Sequence, residues 1–358
     1  MRHISIIPLR FLASIVLTFV SVFSVTAQIA EVIPSINIVV LARNQKSLAL
    51  GGLANIVHEN AYGVQIGGLY NHIGDMGCGV TIGGLANTTF GHHYGVQIGG
   101  LYNHFGDMGC GVTIGGLANA TLGHHYGVQI GGLCNYASDA KGLMLGGLGN
   151  MARGKFDGLQ LAGLGNIAGD VCGVQFAGLF NVAKRVKGVQ FAGIVNVAEE
   201  SNFPIGLINI IKQGHKGVAL THDMLGNTLL AFRSGGKYTY GILGVGYNPH
   251  ISDKFVAEAG YGLRIPLCHW MAINNEFKAT AMGFNADNAP CNFSYLLAPS
   301  VTLWEHCNLF VGPSVNFLMS GANEADTLPL GKRLWSNEHD TAVQHLYIGY
   351  QVGIQYVF

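Results

Sequence analysis

The sequence predicts an all-β chain: an antiparallel β-barrel of the membrane-spanning type, in which glycine-rich repeats of 15 to 16 residues are further barrel strands. A β-solenoid beside a small barrel is the alternative. Three observations carry this. Residues 63–94 are written out again as residues 95–126 with only three changes, Ile73 to Phe105, Thr88 to Ala120 and Phe90 to Leu122. Side chains within each repeat alternate with period two, as a strand requires and a helix does not. Charged residues make up 11% of the chain, against roughly 25% in an average soluble domain, too few to cover a water-facing surface.

Residues 1–27 read as an export signal. Arg2 and Arg10 mark a basic start, FLASIVLTFVSVFSV is apolar, and Val25-Thr26-Ala27 offers small residues for cleavage ahead of Gln28. No second apolar run reaches helical spanning length, so a chain that enters a membrane would cross it as strands. Lys+Arg and Asp+Glu balance at 19 each, which gives no steering toward nucleic acid. The seven cysteines, Cys78, Cys110, Cys134, Cys172, Cys268, Cys291 and Cys307, are odd in number and widely spaced. That pattern argues against a closed disulfide framework, and no CxxC suggests zinc or redox work.

Residues 28–215 form the glycine-rich repeat region. After a lead-in strand in SINIVVLA, each unit reads G-[VL]-x-[IFL]-[GA]-G-[LI]-x-N plus a polar connection, from Ser47 to a degenerate copy at Ser201. Asparagine closes every unit, at Asn55, Asn71, Asn87, Asn103, Asn119, Asn135, Asn150, Asn166, Asn181, Asn196 and Asn209. In residues 173–183, Val174, Phe176, Gly178, Phe180 and Val182 share an apolar face, and Gln175 and Asn181 lie on the other. Charges collect in the connections.

Two architectures fit this pattern. In a transmembrane meander each unit is one strand, the apolar face meets lipid, and Gln and Asn point inward. In a solenoid each unit is one coil, the glycine pair marks a corner, and the asparagines stack in a ladder that satisfies turn backbone groups. Identical units sit naturally on identical neighbours, which favours the coil. Tyr70, Phe180 and Val195 exposed to water would cover a solenoid in apolar surface, which favours the meander. The 32-residue superperiod, with GDMGC and GHHY alternating, also suits a hairpin unit.

Residues 216–358 form the barrel region, with candidate strands at 225–233, 237–247, 254–265, 269–283, 293–304, 307–319 and 343–358. Residues 320–342 read as a surface loop. Phe255, Ala257, Ala259, Tyr261, Leu263 and Ile265 share one face, with Glu258 and Arg264 opposite. Trp270, Asn274, Glu276, Lys278 and Thr280 likewise face away from Met271, Ile273, Phe277 and Ala279. Charges inside and apolar residues outside invert the soluble rule, as in a barrel embedded in lipid. In the last strand Leu346, Ile348, Tyr350, Val352, Ile354, Tyr356 and Phe358 form one apolar face. Here the chain resembles bacterial outer-membrane β-barrel proteins, whose final strand ends in an aromatic residue. The resemblance implies an outer-membrane-type barrel, with the lipid bilayer and the barrel-assembly machinery as partners.

The repeats carry a second resemblance. GVQFAGLFNVAKRVKGVQFAGIVNVAEESNFPIGLINII is similar to bacterial surface-repeat proteins built from GLQ-GLVN units with a PIGLVNI closing unit. Many units of that family are one residue shorter, which would swap faces in a continuous strand and fits a coil better. No site residues follow from it.

His92-His93 and His124-His125, with Asp75 and Asp107 one connection earlier, are the best metal candidates, but no known ligand spacing is present, and the expectation is no metal. Glu258, Glu276, Arg264 and Lys278 could form an interior charge cluster; in barrels such groups usually satisfy one another. The recurring glutamines Gln65, Gln97, Gln129, Gln160, Gln175 and Gln190 suit hydrogen-bond ladders or an aqueous lining. Asn87, Asn119 and Asn292 match glycosylation sequons, which the bacterial features make irrelevant. GxSxG, HExxH and GxxxxGK[ST] do not occur. The expectation is a non-catalytic protein of the outer membrane and cell surface, without cofactor or catalytic residues. It would be a pore or structural barrel of roughly 18 strands, or a surface-displayed binding or adhesion solenoid on a barrel of roughly eight. An outer-membrane enzyme is a distant third.

Overall fold

The computed structural model describes residues 35–283, 289–321, 327–330, 332–338 and 342–358. The export signal at 1–27 therefore lies outside the described residues. The described residues are 79% strand and include no helix; they form a parallel β-solenoid of about 11 turns followed by an eight-stranded antiparallel closed barrel. The all-β barrel expectation holds. Of the two placements weighed for the repeats, the solenoid is the one observed; the repeats are not barrel strands. By compactness the chain divides after Arg153, within strand Gly149–Ala162, whereas pairing changes from parallel to antiparallel at His215.

In the first unit, turns between Asn60 and Gly115 hold a longer strand, such as Met76–Gly83, and a shorter one, such as Ala86–Thr89, and from Ala118 the two run together in single strands such as Ala118–Gly131. Each strand pairs in parallel with its own copy one repeat away. Asn71 lies opposite Asn87 and Asn87 opposite Asn103; Gly79 lies opposite Gly95 and Gly95 opposite Gly111. A meander would pair neighbouring repeats antiparallel. Period-two alternation is the same in both cases, and it is the backbone chemistry that separates them. The first glycine of each unit takes a left-handed φ, 125° at both Gly79 and Gly95. A Cβ on Gly95 would run into the carbonyl oxygen of Gly79 in the turn before it. Only glycine meets both demands.

The 32-residue superperiod comes from core packing and not from a hairpin. Within one turn Ile73 packs toward Gly77 and Phe105 toward Gly109. The intervening turns pair the smaller Thr89 and Thr121 with the larger His93 and His125, all four buried. Large residues thus alternate between the two inner faces from turn to turn, and the coil keeps a nearly constant interior volume.

In the second unit, from Gly154, the remaining turns stack in the same manner, with Asn181 opposite Asn196 and Gln175 opposite Gln190. The barrel strands are His215–Asp223, Thr228–Gly235, Thr239–Tyr247, Phe255–Cys268, Met271–Met282, Cys291–Trp304, Cys307–Gly321 and Ala342–Val357. The last strand closes on the first, from Gly217 opposite Val357 to Asp223 opposite Gln351. Two features escaped the sequence reading. His215–Asp223 is a strand, and Lys332–Glu338, expected to be loop, pairs with the N-terminal half of the last strand beyond the reach of the first. The inward and outward faces follow the expected alternation except at Trp270, which was assigned to the inward face but lies in the turn at 269–270, outside the strand, and is exposed. Val256, Glu258, Glu276, Lys278 and Gln351 are buried, while Phe277, Tyr350, Val352 and Ile354 are exposed.

Candidate functional site

Polarity is inverted in both parts of the fold. Inside the solenoid the asparagines form ladders, from Asn55 to Asn150 in the first unit and from Asn166 to Asn209 in the second. Asn71 Nδ2 donates to Asn87 Oδ1 at 2.7 Å, Asn87 Nδ2 to Asn103 Oδ1 at 2.8 Å, and Asn103 Nδ2 to Asn119 Oδ1 at 2.8 Å. The same amide reaches a backbone carbonyl in the next turn, as Asn103 does to Ile114 O at 2.7 Å. Among the glutamines, Gln175 donates to Gln160 at 2.8 Å and Gln190 to Gln175 at 3.0 Å. Gln129 donates instead to Thr121 at 3.0 Å, and Gln65 and Gln97 have no side-chain partner among the described residues, so the glutamine ladder is confined to Gln160, Gln175 and Gln190, although all six are buried. The sequon asparagines Asn87, Asn119 and Asn292 are all buried, so they offer no glycosylation surface.

The solenoid exterior is apolar. At the glycine corner Leu53, Leu69, Leu85, Leu101, Leu117 and Leu133 are each at least 43% exposed. Successive leucines are joined by backbone hydrogen bonds of 2.7 or 2.8 Å. Later in the chain Phe176 and Phe191 stack on the outer face with centroids 4.7 Å apart. Charges sit at the polar connections, where Arg43 Nε meets Glu59 at 2.7 Å and Arg185 Nε donates to Asp170 at 2.9 Å.

The two histidine pairs are split by the strand alternation. His92 and His124 are exposed, whereas His93 and His125 are buried on either side of Phe105, at ring-centroid distances of 5.6 and 6.3 Å. Burial lowers both buried imidazoles to about 4, so they are neutral near pH 7. His93 Nε2 lies 3.3 Å from Thr81 Oγ1. Among the described residues no group of three His, Cys, Asp or Glu is placed to hold a metal. Asp75 and Asp107 lie at the exposed connections and do not approach the buried rings. All seven cysteines are unpaired thiols.

The barrel interior gathers three of the four charged residues singled out in the sequence and adds one that was missed. Arg233 grips Glu276 with both terminal nitrogens, at 3.0 and 3.1 Å, and Tyr240 donates its hydroxyl to Glu276 at 2.7 Å. Lys278 lies 3.1 Å from Glu258 and also donates to Gln351. The Arg233 guanidinium lies 4.3 Å above the Phe310 ring. Alternation in Thr228–Gly235 would have revealed Arg233, because Leu230 and Phe232 point out while Leu229, Ala231 and Arg233 point in. Arg264 stands apart, near the barrel end. At the opposite end Leu225, Leu229, Val256, Met282, Leu318 and Tyr347 form an apolar cluster.

The last solenoid coil rests on the barrel. Asn209, final member of the ladder, donates its backbone N–H to Ser234 Oγ at 3.0 Å and its side-chain amide to Ser234 O at 3.1 Å. Thr239 Oγ1 donates to Pro204 O at 2.7 Å, and Phe203 stacks on Tyr238 at 5.1 Å. The barrel rim thus caps polar groups that the final coil of a solenoid would otherwise leave open. No protein-family model, curated protein or solved structure matches the chain.

Proposed function

We propose that the protein is a non-catalytic outer-membrane protein in which the small barrel is the membrane anchor and the β-solenoid is a binding scaffold held on its periplasmic side. The carrying observation is which end of the barrel meets the last coil. That end holds both the entrance to the first strand and the exit of the last. Its turns, 236–238, 269–270 and 305–306, have two or three residues, whereas the opposite connections, 224–227, 248–254, 283–290 and 322–341, are longer. Outer-membrane barrels have short periplasmic turns and long extracellular loops. This reading replaces cell-surface display of the repeats with a periplasmic placement.

The barrel exterior supports the anchor role. Exposed Trp270, Trp304 and Tyr356 ring the short-turn end and Tyr247, Phe255 and Trp335 the other, with Phe277, Val311 and Ile354 between them. Two aromatic girdles around an apolar band are what a bilayer selects. A pore gains little support, because eight strands leave room for side chains alone and Arg233, Glu276, Lys278 and Glu258 fill that space in mutual contact.

Labelling of intact cells that express the full chain, with native cysteines replaced, tests the reading. A membrane-impermeant maleimide should modify His250→Cys in intact cells and Asp107→Cys only after the outer membrane is opened. Modification of Asp107→Cys in intact cells would restore surface display. Absence of the chain from the outer-membrane fraction would remove the anchor role itself.

A further inference from the structure

A small open pocket lies at the short-turn end of the barrel, and its chemistry is one-sided. Its lining includes Arg233, Lys237, Arg264 and His215 and contains no Asp or Glu. Only Arg233 is neutralised, through Glu276 behind the wall. Arg264 is half-buried and has no carboxylate partner among the described residues; its backbone N–H is tied to Tyr238 O at 2.6 Å, which fixes where its side chain begins. A guanidinium withdrawn from water without a counter-charge is costly, so the site is built for one that arrives from outside.

A second, independent observation points the same way. Asn274, Ser300 and Asn308 also line the pocket and are no more than 5% exposed. Their side chains make no hydrogen bond to another described residue, and the Nε of Arg233 on the same lining is buried without a partner, whereas buried polar groups normally have one. Their free donors and the unpartnered guanidinium converge on one cavity.

We propose that this pocket binds an anionic group of phosphate type. Arg264 supplies a two-pronged grip, Lys237 an exposed charge at the rim, and the amides and hydroxyl the neutral donors that fit a tetrahedral oxyanion. The phosphate of a lipid headgroup and free phosphate present the same chemistry at this depth. The inference stands on the pocket alone and does not depend on which side of the membrane the solenoid occupies.

The test uses the full chain in uncharged detergent, titrated calorimetrically with inorganic phosphate. A parallel arm measures retention of phosphatidylglycerol by native mass spectrometry after release from phosphatidylcholine–phosphatidylglycerol nanodiscs. Wild type should bind in at least one arm, and Arg264→Gln should weaken that binding at least ten-fold while heat-modifiable migration of the barrel is kept. Binding of phosphate alone assigns a soluble anion, and of phosphatidylglycerol alone a lipid headgroup. If Arg264→Gln fails to fold, Lys237→Gln at the exposed turn carries the test, with a loss of at least three-fold expected. Lack of wild-type binding in both arms, or unchanged binding in the folded variants, overturns the proposal.

Discussion

Replacing Asn103 by alanine should unravel the solenoid locally and leave the barrel intact. The side chain donates to Asn119 Oδ1 at 2.8 Å and to Ile114 O at 2.7 Å, and accepts from Asn87 Nδ2 at 2.8 Å. Alanine removes all three bonds at a site with no exposure. Asn87 keeps its bond to Ile98 O at 2.7 Å, so its loss is partial. The Asn119 oxygen and the Ile114 carbonyl lose a donor each, and a buried group left unsatisfied costs ~1–3 kcal/mol, which gives a total of ~3–6 kcal/mol. Solenoid stability is nearly a sum of nearest-neighbour terms, so the loss should stay within the adjoining turns. Hydrogen exchange followed by mass spectrometry reads this out: amides of Tyr102–Gly115 should exchange roughly a hundred-fold faster or more, at about 1.4 kcal/mol per decade. Leu101→Ala, at an exposed corner, should change exchange less than three-fold. If Asn103→Ala also lies within three-fold of wild type, the ladder does not hold the coils together.

Acid should weaken the solenoid. His93 and His125 sit at about 4 instead of 6.5, so the folded state binds fewer protons than the unfolded one. Stability is complete above pH 6.5, falls as pH drops from there, and levels off below about 4, with roughly 3 kcal/mol lost per histidine. Denaturation midpoints measured across that window should slope in wild type and flatten in a His93→Gln, His125→Gln double variant; equal slopes would remove the histidines as the cause. Gly95→Ala puts a methyl group at a φ of 125° against the Gly79 carbonyl, and should cost ~3 kcal/mol or prevent folding in a thermal melt. Phe105→Ala empties a fully buried site between two imidazoles and should cost ~3–5 kcal/mol, read by the same exchange experiment. Arg233→Met strands Glu276 in the barrel and should cost ~3–5 kcal/mol by urea unfolding in micelles, whereas Arg233→Met with Glu276→Met should recover most of that loss.

Much of this fold is written in alternation, which is why the faces of Phe255–Cys268 and of the last strand could be assigned residue by residue. The direction of a neighbouring strand is not. A repeat such as GVQFAGLFN alternates in the same way whether its neighbour runs parallel or antiparallel, so only glycine φ and the stacking of identical asparagines distinguish coil from meander. Apolar exposure weighed against the solenoid because an exposed leucine corner is unusual for a protein in water. The observed coil exposes that corner all the same and buries its Gln and Asn rows. Doubling of the repeat misled for a related reason: Gly77 and His93 look like loop residues in GDMG and GHHY, yet they are complementary pieces of one packed interior. His92 and His93 are adjacent in sequence and face opposite ways, so a metal site read from adjacency was not there to be found among the described residues. In the barrel Glu258, Glu276 and Lys278 were legible as an inward cluster. Arg264 was grouped with them because it shares their face, while its position near the strand end places it in a different site.

Distances along the leucine corner separate the two architectures without ambiguity. With native cysteines replaced, nitroxide pairs at Leu53 and Leu117, Leu53 and Leu133, and Leu53 and Leu148 span four, five and six turns linked by the corner hydrogen bonds. Parallel coils stack about 4.8 Å apart, so pulsed electron–electron resonance should give roughly 19, 24 and 29 Å, rising steadily with each turn. A meander puts successive corners at opposite ends of the sheet, and the distances would then alternate between short and long instead of increasing.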